Sequence, residues 1–194
     1  RVLTHAGLSV IPHYISPVAR EVVNAALALL KPGRHSWFMY LHIMDVHDGA
    51  KTSRAINFVN KLKYLPRVWR NRRKYGTRRD LWYDLSLVYT DAQIARLLAT
   101  LKKRGLLENT LIVTSGDHGR GWNTNRDPKY AEDFGFRTYR EQIEAALIVS
   151  PSTRMPSPDG IHDGMSISAT ILDELGIPPH PSFLGRSAFE PGKP

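Results

Sequence analysis

Two short runs of this sequence gather side chains able to do chemistry. Asp45-Val46-His47-Asp48-Gly49, with two carboxylates, and Gly116-Asp117-His118-Gly119, with one, each set an acid and a histidine in a glycine-flanked turn. From such a turn a carboxylate and an imidazole can face one cation, and mixed oxygen and nitrogen ligation suits a divalent metal that activates an oxyanion ester. The plainer alternative for a lone Asp-His is a polar turn in which Asp caps the next segment. A lone His47 carries less weight, because most such histidines are hydrogen-bonded or solvent-facing loop residues.

Both turns follow apolar runs. Residues 36–44 (Ser-Trp-Phe-Met-Tyr-Leu-His-Ile-Met) predict a strand buried on both faces, and so do Thr110–Ser115 and Ala145–Ser150. Ser16 as N-cap, Pro17 in the first turn and Val18, Val22, Ala25, Ala26 and Leu29 on one face predict a helix over 17–31, stopped by Lys31-Pro32-Gly33. A second helix is predicted over 82–103, with Leu87, Ile94, Leu97, Leu98 and Leu101 on one stripe and Gly105 just past its end. Residues 121–135 read as loop, 138–144 as a short helix, and 166–175 as a helix closed by Gly176 and stopped by Pro178-Pro179. Alternating helices and uniformly apolar strands predict an α/β fold, a mostly parallel sheet with helices on both faces. Ligands bind beyond the carboxyl ends of such strands, so both polar turns are expected on one edge of the sheet. Trp37, Phe38 and Tyr40 are expected in the core, and His35, His42 and His162 in structural or solvent-facing roles. Asp91 is expected to cap or pair, and Trp122 to line a cleft mouth or anchor a loop.

The composition bounds the rest. In 194 residues, 42% apolar and 9% aromatic content excludes wholesale disorder. The absence of cysteine excludes a disulfide scaffold, cysteine-ligated metals and a cysteine nucleophile. No apolar run approaches the ~18–20 residues of a membrane span. The net charge of +9 is local: residues 61–80 hold Lys61, Lys63, Arg67, Arg70, Arg72, Arg73, Lys74, Arg78 and Arg79 against Asp80, leaving the remainder near neutral. This stretch, inside a basic excursion over about 51–80, is predicted as loop. Interleaved with Tyr64, Trp69 and Tyr75, its charges suit an anionic polymer, through backbone contact and stacking, or form a solvated face. The start, Arg1-Val2-Leu3-Thr4, has neither Met nor a signal-peptide pattern. Localisation is left open between the periplasm or exterior and the cytoplasm.

Four segments, in order, resemble the C-terminal part of the sulfatase family of the alkaline-phosphatase-like superfamily. Trp37-Phe-Met-Tyr-Leu-His-Ile-Met-Asp-Val-His-Asp48 is similar to that family's strand ending in H-x-x-D-P-H. Tyr89-Thr-Asp-Ala-Gln-Ile-Ala-Arg-Leu-Leu98, followed by Leu101-Lys-Lys-Arg-Gly-Leu-Leu-Glu-Asn-Thr-Leu-Ile-Val-Thr-Ser-Gly-Asp-His-Gly119, resembles its long block ending in S-D-H-G. Tyr139-Arg-Glu141 running into Leu147-Ile-Val resembles the L-Y-E-E step, and Ser166 to Gly176 with Gly185-Arg-Ser187 resembles the closing segments. Departures are Ser166 in place of Asp, Ala169 in place of the Pro before Thr170, and Ala146 in place of the Pro before Leu147.

The resemblance implies a metal-dependent hydrolase of sulfate esters. In it Asp117 and His118 match the late pair of metal ligands, and His47 matches the histidine that contacts the sulfate or phosphate group. The metal would be divalent, Ca2+ first, with Mg2+, Mn2+ or Zn2+ as alternatives. Where the family has a Lys or His before the L-Y-E-E tyrosine, Arg137 is the nearest cation and Lys129 a more distant one. The family's nucleophile motif, Cys/Ser-x-Pro-x-Arg, has no counterpart; in Ser16-Pro17-Val18-Ala19-Arg20 the proline sits one position early. The expectation is therefore a single partial domain over 1–194, lacking the nucleophile-bearing half and inactive by itself. The substrate would be an anionic ester, a sulfated or phosphorylated small molecule or a glycan received by the basic excursion, with nucleic acid the less favoured partner. Alternatives within the superfamily are a phosphonate or phosphate ester hydrolase and a phosphoethanolamine or phosphoglycerol transferase. A non-catalytic member or a module binding anionic polymers are the others. Asp117 and His118 are expected within about 10 Å of His47, facing one cleft.

Overall fold

The computed structural model describes residues 18–30, 33, 36–47, 61–70, 78–119, 139–152, 154 and 163–190. The chain divides into two compact units, Arg1–Asn109 and Thr110–Pro194.

In the first unit, α1 (Ala19–Leu29) and the long α3 (Arg78–Lys103) pack together. Val23, Ala26 and Leu30 meet Leu97 and Leu101, and Met39, Leu41, Leu106 and Leu107 close over them. Burying each Val or Leu side chain stabilises this layer by about 1.5–3 kcal/mol. Of the predicted stripe, Val18 and Ala26 are buried, joined by Ala19 and Val23; Val22 and Ala25 are half-buried, and Leu29 points outward. In a helix rich in Ala, Val and Leu, apolar residues cover more than one stripe, and contact with α3 selects between them. On α3, Leu97 and Leu101 are buried as expected, but Leu87 is exposed while Ser86, Thr90 and Gln93 are buried. Gly105 follows α3 at φ +66°, the left-handed conformation that ends a helix without a Cβ penalty.

Each end of α1 meets a charged side chain from elsewhere in the unit, and its start also meets its own Glu21. At its start, the Glu21 carboxylate accepts the Val18 N–H, and Asp45 Oδ2 accepts the Ala19 N–H at 2.6 Å. At its end, the Arg104 guanidinium donates to the carbonyls of Leu27 and Leu30. An anion at the N-terminus and a cation at the C-terminus both suit the helix dipole. Ser16, the expected N-cap, lies outside the described residues.

Residues 36–44 correct the expected strand. They form no ladder among the described residues, and burial alternates: Met39, Leu41 and Ile43 are half-buried, whereas Phe38, Tyr40 and His42 face out. Trp37, Phe38 (69% exposed) and Tyr40 (77%) are thus not core. A period of two marks one covered face, which a continuous apolar run conceals. Within the stretch predicted as loop, a short helix α2 (Leu65–Trp69) packs on α3 through the buried Val68.

In the second unit, β1 (Ile112–Ser115) pairs with β2 (Leu147–Ser150), Ile112 opposite Ser150 and Ser115 opposite Leu147. The pair is antiparallel, where a mostly parallel sheet was expected. Both strands are partly exposed rather than buried on two faces, which an antiparallel pair tolerates. Between them stands the four-residue α4 (Arg140–Ile143). Helix α5 (Ser166–Glu174) ends at Leu175, followed by Gly176 at φ +65°, as predicted. The tail folds back on α5: Thr170 Oγ1 accepts the Ala188 N–H at 2.8 Å, and Ser187 donates to Asp173. Gly185 is needed here, because a Cβ would run into the Met165 carbonyl. Arg154 pairs with Asp173 at 2.8 Å and lies over the Phe189 ring. These two hydrogen bonds hold the Asp173 carboxyl below its ordinary range, Arg154 first and Ser187 second.

Candidate active site

His47 ends a tight turn in which its N–H donates to the Met44 carbonyl at 3.2 Å. Asp45 and His47, two positions apart, have opposite fates. His47 is exposed, whereas Asp45 is 2% exposed and turned inward. There its carboxylate meets α1 through Ala19 and lies 3.8 Å from the ammonium of Lys61. Lys61, 3% exposed, also donates to Ser86 Oγ at 2.9 Å, and Ser86 donates to the Trp82 carbonyl on the same helix. Burial lowers the Lys61 pKa, and the Asp45 charge opposes that shift. Tyr89, fully buried on α3, has its pKa raised by burial and then by the Asp45 carboxylate. In this turn Asp is a helix cap, the plainer of the two readings, though for the preceding helix.

The Gly116–Gly119 turn leaves the end of β1 and is fixed at both glycines. Gly116 N–H donates to the Ala146 carbonyl at 3.1 Å, and Gly119 N–H to that of Gln142 at 3.0 Å. A Cβ on Gly119 would collide with the carbonyl oxygens of Glu141 and Glu144, so only glycine lets the turn sit against the end of α4. Between these anchors the turn presents Asp117 and His118, their side chains 77% and 35% exposed. Asp117 Oδ1 accepts the His118 N–H at 3.0 Å, and Oδ2 lies 3.7 Å from His118 Nε2. His118 Nδ1 is 2.7 Å from the Gly119 carbonyl. A carbonyl only accepts, so Nδ1 carries the proton and the lone pair of the neutral ring is on Nε2, beside the Asp117 carboxylate. A histidine whose other ring nitrogen is tied to a backbone carbonyl is oriented as metal-ligating histidines are. The pair thus offers one oxygen and one nitrogen donor, a fit to part of a divalent site. Among the described residues no group of three His, Asp or Glu gathers to complete it.

The structure brings Asp117 and His118 together. His47 belongs to the first unit and that pair to the second. Arg137, Lys129, Asp48 and Trp122, and with them His35 and His162, lie outside the described residues. Asp91 and His42 are exposed. Sequence reasoning missed the inward role of Lys61, and no sequence signal separates it from the exposed Lys63 two positions on. The Asp45 role had one: an acid that can cap a helix.

An S-G-D-H-G turn thus closes β1, and a H-x-x-D-x-H run ends in the exposed His47. A family model described as Sulfatase matches residues 16–177, and the chain belongs to the sulfatase family. That membership carries the alkaline-phosphatase-like α/β fold and the hydrolysis of sulfate esters as a general activity. No curated protein and no solved structure matches the chain.

Proposed function

We propose that this chain serves a metal-dependent hydrolase of sulfate esters in which Asp117 and His118 are two of the metal's ligands and His47 contacts the substrate's sulfate group. The observation that carries the reading is the doubly anchored Gly116–Gly119 turn, which holds a carboxylate and an oriented imidazole 3.7 Å apart. Bound there, a divalent cation supplies positive charge against the ester's oxyanion. The Asp117 carboxylate and His118 Nε2 would hold it, with the Gly119 carbonyl keeping the ring in place. The exposed His47 imidazole donates a hydrogen bond to a non-bridging or leaving oxygen of the ester. Arg137 is the candidate for a further cation against the same group. No nucleophile is assigned among the described residues. Of the metals considered, the imidazole favours Zn2+; Mn2+, Mg2+ and Ca2+, which prefer oxygen donors, would rely on Asp117. Both units are read as parts of one domain, because the family match runs across the boundary between Asn109 and Thr110.

The test is titration of the metal-stripped protein with Mn2+, Zn2+, Mg2+ and Ca2+ by calorimetry, followed by assay on aryl sulfates, aryl phosphonates and phosphodiesters. The reading expects saturable metal binding that Asp117→Asn and His118→Ala each weaken by about tenfold or more, on the scale of 1.4 kcal/mol per decade. With no nucleophile assigned, metal binding is the expected readout of this chain, and any turnover is expected on sulfate esters ahead of the other two classes. Preference for phosphonates or phosphodiesters would move the chain to the phosphonate hydrolases or transferases of the superfamily. Weak or absent metal binding would leave a non-catalytic member.

A second surface adds a partner. Lys63, Arg67 and Arg70 are exposed around the half-exposed Trp69, on a helix fixed to α3 by Val68. This arrangement supports reception of a polyanionic substrate such as a sulfated glycan.

A further inference from the structure

The buried group at the start of α1 is larger than a helix cap requires. Accepting the Ala19 N–H takes one carboxylate oxygen, and an Asn or Ser would serve as well. Here the other oxygen faces a lysine that is itself almost wholly buried, a costly arrangement that an apolar pair of similar volume would avoid. The lysine is in turn held by Ser86, in the first half of α3. Three separated parts of the chain therefore converge on Asp45: the first turn of α1, the segment before α2, and α3. Asp45 is the second residue of the turn that the Met44 carbonyl and the His47 N–H close. Fixing that carboxylate at two oxygens ties down the start of the turn, from which the exposed His47 follows two residues on.

We propose that Lys61 and Asp45 are positioning residues for His47: the Lys61 ammonium, braced by Ser86, clamps the Asp45 carboxylate against the first turn of α1 and so sets where the His47 imidazole stands. The inference rests on the reading of His47 as a contact to the substrate's sulfate group. It also divides the basic stretch, whose first lysine serves the fold from within while Lys63, Arg67 and Arg70 stay on the surface.

The test follows the His47 imidazole C–H signal by NMR in the full chain, assigned with His47→Ala. Four variants are compared: Lys61→Met, Lys61→Arg, Asp45→Asn and Ser86→Ala. Asp45→Asn retains an acceptor for the Ala19 N–H and removes only the charge that faces Lys61, so it keeps the test open if Lys61→Met fails to fold. The expected result, in variants that keep the native circular dichroism, is movement of the His47 signal to the position of a solvent-averaged histidine in Lys61→Met and Asp45→Asn. Ser86→Ala should move it part of the way, and Lys61→Arg should restore it. A lysine with a purely structural role would lower the unfolding midpoint and leave the signal where it is. An unmoved His47 signal in folded Lys61→Met or folded Asp45→Asn would overturn the proposal. Inorganic sulfate is the separate probe of the underlying reading. If sulfate leaves the His47 signal of the unmodified chain unmoved while the variants move it, the positioning stands and the substrate contact fails.

Discussion

The backbone amide of Ala19 donates to the carboxylate of Asp45 at 2.6 Å, twenty-six positions apart in sequence. The hydrogen bond makes one side chain both the cap of α1 and the inner anchor of the turn that carries His47. Its removal is therefore felt in two ways. Asp45→Ala leaves the α1 amide without this acceptor and Lys61 buried without its counter-charge. The expected loss is about 3 kcal/mol in urea unfolding, the scale for stripping one member from a buried pair. Asp45→Asn is expected to lose less, because it keeps the cap.

Gly119→Ala tests the second turn. The added methyl meets the carbonyls of Glu141 and Glu144, which belong to backbone and cannot swing aside. The expected result is a loss of about 2 kcal/mol in stability, within the range for backbone strain and overpacking. A drop in Zn2+ affinity comparable to that of His118→Ala should accompany it, although no proposed ligand is touched. Unchanged metal affinity would show that the turn's placement against α4 is irrelevant to the site.

The pH dependence of the second unit follows from Asp173. Its carboxyl is held below the ordinary value of 3.8 by Arg154 and then by Ser187. A depressed carboxyl adds stability above its unfolded pKa, and the gain is lost as pH falls through the lower folded value. Asp173→Asn should thus be less stable than the parent at neutral pH. The pair is partly exposed, so the difference is expected below about 1 kcal/mol. It should begin to shrink below 3.8 and vanish once pH has fallen through the folded value, which thermal melts across pH 2–7 (about that span) would read.

Charge reversal distinguishes the two kinds of base in the basic stretch. Lys63→Glu, Arg67→Glu and Arg70→Glu combined are expected to change stability by no more than about 0.5 kcal/mol, as exposed substitutions do. Binding to a sulfated polysaccharide should fall about tenfold or more, with a shallower salt dependence. Single-stranded nucleic acid bound in preference to the polysaccharide would reassign the surface.

Legibility in the sequence followed the strength of local signals. The end of α3 at Gly105 and that of α5 at Gly176 were readable, because a glycine at a helix end has one physical purpose. The 36–44 run was not, because an unbroken apolar stretch does not say whether one face or two are covered. The buried face of α3 hid among Ser86, Thr90 and Gln93, polar residues that hydrophobic periodicity passes over. For the candidate site, the Asp117-His118 pair stood out as adjacent residue types. What fixes the pair, Gly119 beneath two carbonyls and the Nδ1 contact, is three-dimensional and has no counterpart in spacing. Lys61 and Lys63 show the same limit, identical residues two apart with one at a buried carboxylate and one in water.

The complementary charges at the two ends of α1 also set an index mark. Asp45 meets its first amide and Arg104 its last carbonyls, while α3 runs alongside in the same direction, Arg96 reaching Asn24 midway. Sliding α1 by one turn, about 5.4 Å, would strand both ions beside the helix wall instead of its ends. The pairing therefore admits one longitudinal setting, and the height at which the His47 turn rides along the 26-residue rod is locked with it.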